Sequence, residues 1–477
     1  MSGLFALWRM EWLRLRCLFG AVLVILLLLT GIALKNGADF YGHQQRQQLH
    51  LQHENAQWVQ KNADKTRRRE QTLRSEGKPL QPDTKIYRNP AYLANTGPAV
   101  TLPPLPSQAL GPGDLPHLPT AYKVSLLPAS LWQPVHNIFH PLSLWLGVFD
   151  WGMVLAYGFP LCLMLLGLDL LADERLRGHL PLYATYQWTW ARLLMAKLTL
   201  RIVLSLLLLL CMGLEAFFLA PVMGLPITGT DVVGALTLSA FYSLFWWGLM
   251  AVLHVVLRSP AQIGVVLSSL WFLWAWIVPA VAGHGIRAHY PVPSRFAYLQ
   301  QYRETEEQVR KEKAERTSGY LEAHPELNQG ADNTYALKQF ARAEALSQAL
   351  LPVVSDYDRQ LQARLEVLQW VRFLSPIYAH QWSLQRFWGS DRLFYGAYLE
   401  QLESFSNRWQ GFFLSQIQQG KALDFEDFGQ FPVFEFKTPE VASRWQQALA
   451  GLGVWGLFLL LGAAVIWWRA SVHPQAV

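Results

Sequence analysis

The chain has 477 residues, 52% hydrophobic and 13% aromatic, with 21 Trp and a formal net charge of +6. Soluble domains carry a similar apolar share, but here the apolar residues cluster into long uncharged runs, which excludes an ordinary soluble fold. The three cysteines, Cys17, Cys162 and Cys211, lie in or beside those runs, which excludes a disulfide framework for the polar segments.

Residues 1–16 read as a cytoplasmic interfacial helix. Leu4, Trp8, Trp12 and Leu15 share a face with Arg9 and Arg16 beside it, and Glu11 intrudes on the apolar side. Residues 17–34, "CLFGAVLVILLLLTGIAL", form the first predicted span. The run exceeds the roughly 7–15 apolar residues of a signal-peptide core and flows into "KNGADFYGHQQ", so it reads as an uncleaved anchor.

Residues 35–147 form a first large insertion. From Ala38 to Glu76 a polar helix is expected, with a sparse stripe of Leu49, Ala56 and Val59 that needs a partner helix. The Pro-rich stretch Gly97–Pro119 suits an extended segment packed on the domain. In "HNIFH", His136 and His140 stand four apart, a spacing found in metal sites. Pro134 and Pro141 bracket them and no Cys is near, so they are weak candidates and no metal is expected.

Further spans are predicted at 148–171, 193–220, 232–257, 261–283 and 446–468, giving six. A second insertion covers 284–445. Within it, Arg295–Arg316, Thr334–Trp370 and Leu393–Ile417 have helical spacing, with a kink or end expected at Pro352. The aromatic stripe Phe394, Tyr398, Phe405, Trp409 and Phe412 reads as core rather than a cofactor box. "FPVFEF", Phe431–Phe436, reads as a short strand or extended tail. The predicted fold class is an all-α integral membrane protein with six transmembrane helices and two largely helical extracytoplasmic insertions.

Charge placement sets the orientation. Arg9, Arg14 and Arg16 precede the first span, Arg175, Arg177 and Arg192 lie in the loop 172–192, Arg258 follows the fourth span, and Arg469 opens the tail 469–477. The short opposite loop "PVMGLPITGTD" has no Lys or Arg. The positive-inside rule then puts both termini and the loop 172–192 in the cytoplasm. The net charge is explained by topology, so no nucleic acid is expected as a partner.

Ionisable residues inside spans are costly and often functional. Asp169 is expected to pair with Arg201 near the inner ends of neighbouring spans. Glu215, toward an outer end, is a candidate for a substrate path, and Lys197 reads as snorkelling.

The loop "LADERLRGHLPLY" carries Asp173, Glu174, Arg175, Arg177, Gly178, His179 and Leu180 between two apolar runs, with its charges expected to be hydrated. With the re-entry "ATYQWTWARLLMAKL", it resembles the first cytoplasmic loop of type-2 ABC transporter permeases. Glu174, Arg175, Gly178 and Leu180 match that pattern, with Arg192 and Lys197 at the re-entry. His179 stands where Thr is usual and Arg177 where an acid is common. The segments "GPAVTLPPLPSQALGPGDLPHLPTAYKVSL", "NIFHPLSLWLGVFDWGMVLAYGFPL", "AHPELNQGADN" and "WVRFLSPIYAHQWSLQRFWGSDR" are similar to a bacterial subgroup of uncharacterised permeases with two large extracytoplasmic insertions.

The resemblance implies a permease subunit in the bacterial inner membrane, an exporter or extractor rather than an importer. It implies a separate ABC ATPase docking on 172–192 and a second permease chain, identical or a sister, surrounded by membrane lipid. The sequence contains no Gly-x-x-x-x-Gly-Lys-Ser/Thr loop, so ATP and Mg are expected on the partner, with no cofactor and no catalysis in this chain. Two other readings are a membrane-anchored scaffold or sensor that binds a partner without transport, and a polytopic lipid-modifying enzyme.

Overall fold

The computed structural model describes residues 2–78, 86–135, 148–179, 189–290, 295–312, 334–419 and 421–472, with residues 183, 185, 315, 318, 319, 322 and 323. His136, His140 and Leu180 lie outside the described residues. The chain is mostly helical, and among the described residues six helices are long and apolar enough to cross a membrane. The protein is therefore an integral, multi-pass membrane protein.

Helix α1 runs unbroken from Ser2 to Ser75, about 110 Å at 1.5 Å per residue. The expected interfacial helix, first span and polar helix are thus one element. The expected polar stripe is corrected. Leu49 and Ala56 are exposed, while Leu51, Ala63, Thr66 and Leu73 are buried. Among the described residues, no long helix runs along this part of α1. Short elements do so instead, among them strand β1 and the 3₁₀ turns Ile86–Arg88 and Phe425–Gln430.

After the short helix α2 (Pro90–Asn95) comes a three-stranded antiparallel sheet that sequence patterning did not anticipate. Strands β1 (Ala99–Thr101), β2 (Ala121–Lys123) and β3 (Gln133–Pro134) pair in that order, with Val100 opposite Tyr122 and Lys123 opposite Gln133.

The next four spans start at good caps. Helix α3 (151–167) is capped by Asp150, whose side chain accepts from Met153 N–H at 2.7 Å. The short α4 (Ala172–Leu176) follows. Thr189 caps α5 (Trp190–Val222), a Thr228–Asp231 capping box opens α6 (Gly229–Val256), and Ser259 with Pro260 opens α7 (Pro260–His289). Each cap supplies an acceptor to an orphan amide of the first turn.

Helices α8 (Arg295–Lys311), α9 (Thr334–Leu368), α10 (Pro376–Trp388) and α11 (Arg392–Gln418) follow, and α12 (Val441–Val472) is the sixth span. Helix α9 continues through Pro352, so of the kink or end expected there the end does not occur. The tail 431–440 is extended but unpaired as a strand, with Phe434 and Phe436 half-buried and Val433 and Glu435 exposed.

Two cores result. One joins the spans, and the other joins α1, α2, the sheet and α11 through Phe394, Tyr398, Phe405 and Trp409. The first is not confined to spans. Helix α10 packs against α6 and α12, so the second insertion reaches into the bundle. His380 is fully buried there, its ring 4.2 Å from that of Tyr242 and its Nε2 3.2 Å from Ser239 Oγ. Burial pushes its imidazole down to about 3, so it is neutral at physiological pH.

Two π-helical segments, Val154–Gly158 in α3 and Leu273–Ile277 in α7, meet this region. Tyr157 OH donates to Gln381 Oε1 at 2.8 Å, and Ser375 Oγ donates to the Trp274 carbonyl at 2.8 Å. Such turns are uncommon in α-helices, and Ser375 bonds a carbonyl within the one in α7.

Candidate functional site

The bundle has an insertion end and a loop end, and Glu11, Arg14, Lys197 and Arg201 of the first and third spans collect at the loop end. Helix α4 closes in a Schellman turn. Gly178 has φ +67°, its N–H donates to Arg175 C=O at 3.1 Å, and His179 N–H donates to Glu174 C=O at 2.9 Å. The left-handed position favours glycine. The turn folds the His179 ring back, with Nδ1 2.9 Å from Glu174 Oε2.

Successive helical residues point about 100° apart, so α4 divides its charges between two environments. Arg177 is exposed and its Nε donates to Asp173 Oδ1 at 2.9 Å. Leu176 is 66% exposed. Glu174, by contrast, is fully buried. The expectation that all the loop's charges are hydrated is therefore corrected at Glu174. Its partners come from helices distant in sequence, and they replace the water it gives up.

Glu174 Oε1 accepts from Lys197 Nζ of α5 at 2.8 Å and from Arg14 Nη1 of α1 at 3.1 Å. Lys197 Nζ also lies 2.9 Å from Glu11 Oε1 of α1, as an ion pair rather than an aligned hydrogen bond. Arg201, one turn further along α5, donates from Nη2 to Glu11 Oε2 at 3.0 Å and from Nη1 to Asp169 Oδ1 at 2.6 Å. The side chains of Glu11, Glu174, Lys197 and Arg201 are all wholly buried.

Glu11, Asp169 and Glu174 thus face Arg14, Lys197 and Arg201, three charges of each sign. Burying a charge costs several kcal/mol unless it is paired and hydrogen-bonded, and these are. Two further bonds tie in the neighbours. Trp8 Nε1 donates to Ala196 C=O at 2.9 Å, and Arg175 Nη1 donates to Leu257 C=O, just beyond α6, at 2.7 Å. The cluster joins α1, α3, α4 and α5, with α6 held through Arg175. Within it, each carboxylate lies beside at least one cation.

Sequence reasoning passed over two central members. Glu11 looked like an imperfection in an apolar face, and Lys197 like a snorkelling side chain. The signal was present: an acid on an apolar face of one helix and two bases four residues apart on another are complementary. The structure also brings together Asp169 and Arg201. Glu215 is elsewhere, half-buried on α5 and facing α1, with its Oε1 close to Gly31 and its Oε2 without a hydrogen-bond partner. Among the described residues, no group of three or more His, Cys, Asp or Glu could hold a metal ion.

Residues 295–437 match the family described as Domain of unknown function (DUF3526). No curated protein and no solved structure matches the chain. The matched region spans α8 to the extended tail and includes α10, the helix set into the bundle. The charge cluster lies wholly outside it.

Proposed function

We propose that the chain is the membrane subunit of an ATP-driven transporter, an exporter or extractor, moved by a separate ATPase that docks on the loop 172–192. The observation that carries this reading is the division of α4. One face offers Leu176 and Arg177 to a soluble partner, while Glu174, on the same short helix, is bonded to α1 and α5. A partner that presses on the exposed face moves Glu174, and with it two spans. The resemblance of this loop to type-2 ABC permeases supports the same reading.

In this scheme the termini and the loop face the cytoplasm of a bacterium, the chain sits in the inner membrane, and a second permease chain completes the path. The partner ATPase binds ATP and Mg and carries out hydrolysis, while this chain performs no catalysis.

The test is co-purification. The ATPase is to be expressed with the wild-type chain and with the double variant Leu176→Glu, Arg177→Glu, which changes exposed side chains and leaves the buried cluster intact. Loss of an apolar anchor and reversal of a contact charge are expected to weaken association at least about tenfold. If an ATPase binds both chains equally, the docking face is misassigned. If none binds either, the scaffold or sensor reading takes its place.

A further inference from the structure

We propose that the insertion end carries a binding site for an extended, uncharged peptide segment, in the cleft between α1, β1 and the tail 431–436. The cleft holds about 810 Å³, within the range of built ligand sites, roughly 300–1,000 Å³. Its floor is aromatic, with Phe405 and Trp409 of α11 beneath and Phe434 and Phe436 of the tail alongside. Its wall is a row of amides on α1: Gln48, Gln52 and Asn55. Glu435 is the one charged residue in the lining, so a strongly charged ligand would find little to pair with.

The backbone of β1 decides the class of ligand. The register pairs Val100 with Tyr122, and Val124 N–H and Leu102 N–H bond to Pro98 C=O and Thr120 C=O. In an antiparallel pair the intervening residues then turn their N–H and C=O away from β2. These are Ala99 and Thr101. At Ala99 the side chain of Asn55 takes both groups, donating to the carbonyl at 2.6 Å and accepting from the N–H at 2.8 Å. Asn55 thus occupies the place of one residue of a neighbouring strand. At Thr101, the next outward pair, no such side chain stands among the described residues, and Thr101 is itself part of the cleft lining.

An extended peptide continues what Asn55 begins. Its backbone pairs with Thr101, its apolar side chains enter the aromatic floor, and its remaining amides meet Gln48 and Gln52. This is strand addition to a free sheet edge. A fatty acyl chain would use the floor and leave the edge and the amide row unused.

The test needs neither the ATPase nor nucleotide, so it stands or fails independently of the transport reading. The full-length protein in detergent is titrated into a fluorescent five-residue peptide of alternating Val and Thr with blocked ends, read by anisotropy. A copy N-methylated at alternate amides keeps the side chains and loses the pairing donors. Lauric acid serves as competitor.

Saturable binding of the plain peptide is expected, about tenfold weaker for the methylated copy, the scale of a desolvated hydrogen bond left unmade. The variant Thr101→Pro is expected to lose about the same factor, because its missing N–H faces away from β2 and an edge strand tolerates proline there. Failure of the plain peptide to saturate, equal binding of both peptides, or saturation by lauric acid alone would overturn the proposal. The methylated peptide decides the matter even if Thr101→Pro fails to fold.

Discussion

Replacing Lys197 with Met is expected to destabilise the protein by about 3–5 kcal/mol, the range for breaking a buried ion pair by removing one partner. Met keeps most of the volume and chain length, so little of the loss comes from packing. The loss comes from Glu11 and Glu174, both fully buried, which now face the vacated space without the ammonium between them. Arg201 still holds Glu11 and Arg14 still reaches Glu174, so the cluster is left one cation short.

Adding Glu174→Gln to Lys197→Met removes the unmatched carboxylate and is expected to restore more than half of the loss. Non-additivity of this kind marks residues that share one network. The measurement is the unfolding midpoint of the purified protein in detergent for the wild type, both single variants and the double. If Lys197→Met is as stable as the wild type, or if the double variant is as poor as the sum of its parts, the buried charges are not held by mutual pairing.

The parts of the fold legible in the sequence are those set by composition over a helix length. Each uncharged run became a helix, because a hydrocarbon-length apolar stretch permits little else, and the predicted starts of the third, fourth and fifth spans fell within a few residues of the Thr189, Thr228 and Ser259 caps. The aromatic spacing on α11 was legible for the same reason: it is local and periodic.

What failed to show was long-range. Glu174 looked hydrated because its neighbours in sequence are charged, and its partners Arg14 and Lys197 come from two other helices. The sheet was hidden because its strands are two or three residues long and embedded in Pro-rich chain. Pro352 does not end α9, and buried Leu350 and Val354 on either side of it pack on Leu131. The depth of α10 was hidden because its composition is that of an amphipathic surface helix. Only the buried faces of α6 and α12 complete it.

That last element leads to the second large effect. Trp388→Ala is expected to cost about 3–5 kcal/mol, as for large aromatic deletions in cores. Trp388 ends α10, is fully buried, and stacks on Trp151 at the start of α3 with ring centroids 6.0 Å apart. Its ring also fills the space over Gly111, where any Cβ would collide with it, and its Nε1 donates to Asp231 C=O in the first turn of α6 at 3.4 Å. One side chain thus joins the first insertion, the second insertion and two spans.

Deleting it is expected to raise amide hydrogen exchange in α10 and in the first turns of α3 and α6 together, while α4 and the charge cluster keep their protection. Exchange confined to α10, with α3 and α6 unchanged, would mean that the insertion rests on the bundle without bracing it. A joint rise would mean that motion at the insertion end reaches the same two helices, α3 and α6, whose other ends meet Asp169 and Arg175. The bundle would then be braced at both ends by groups that bridge separate elements, aromatic at one end and ionic at the other.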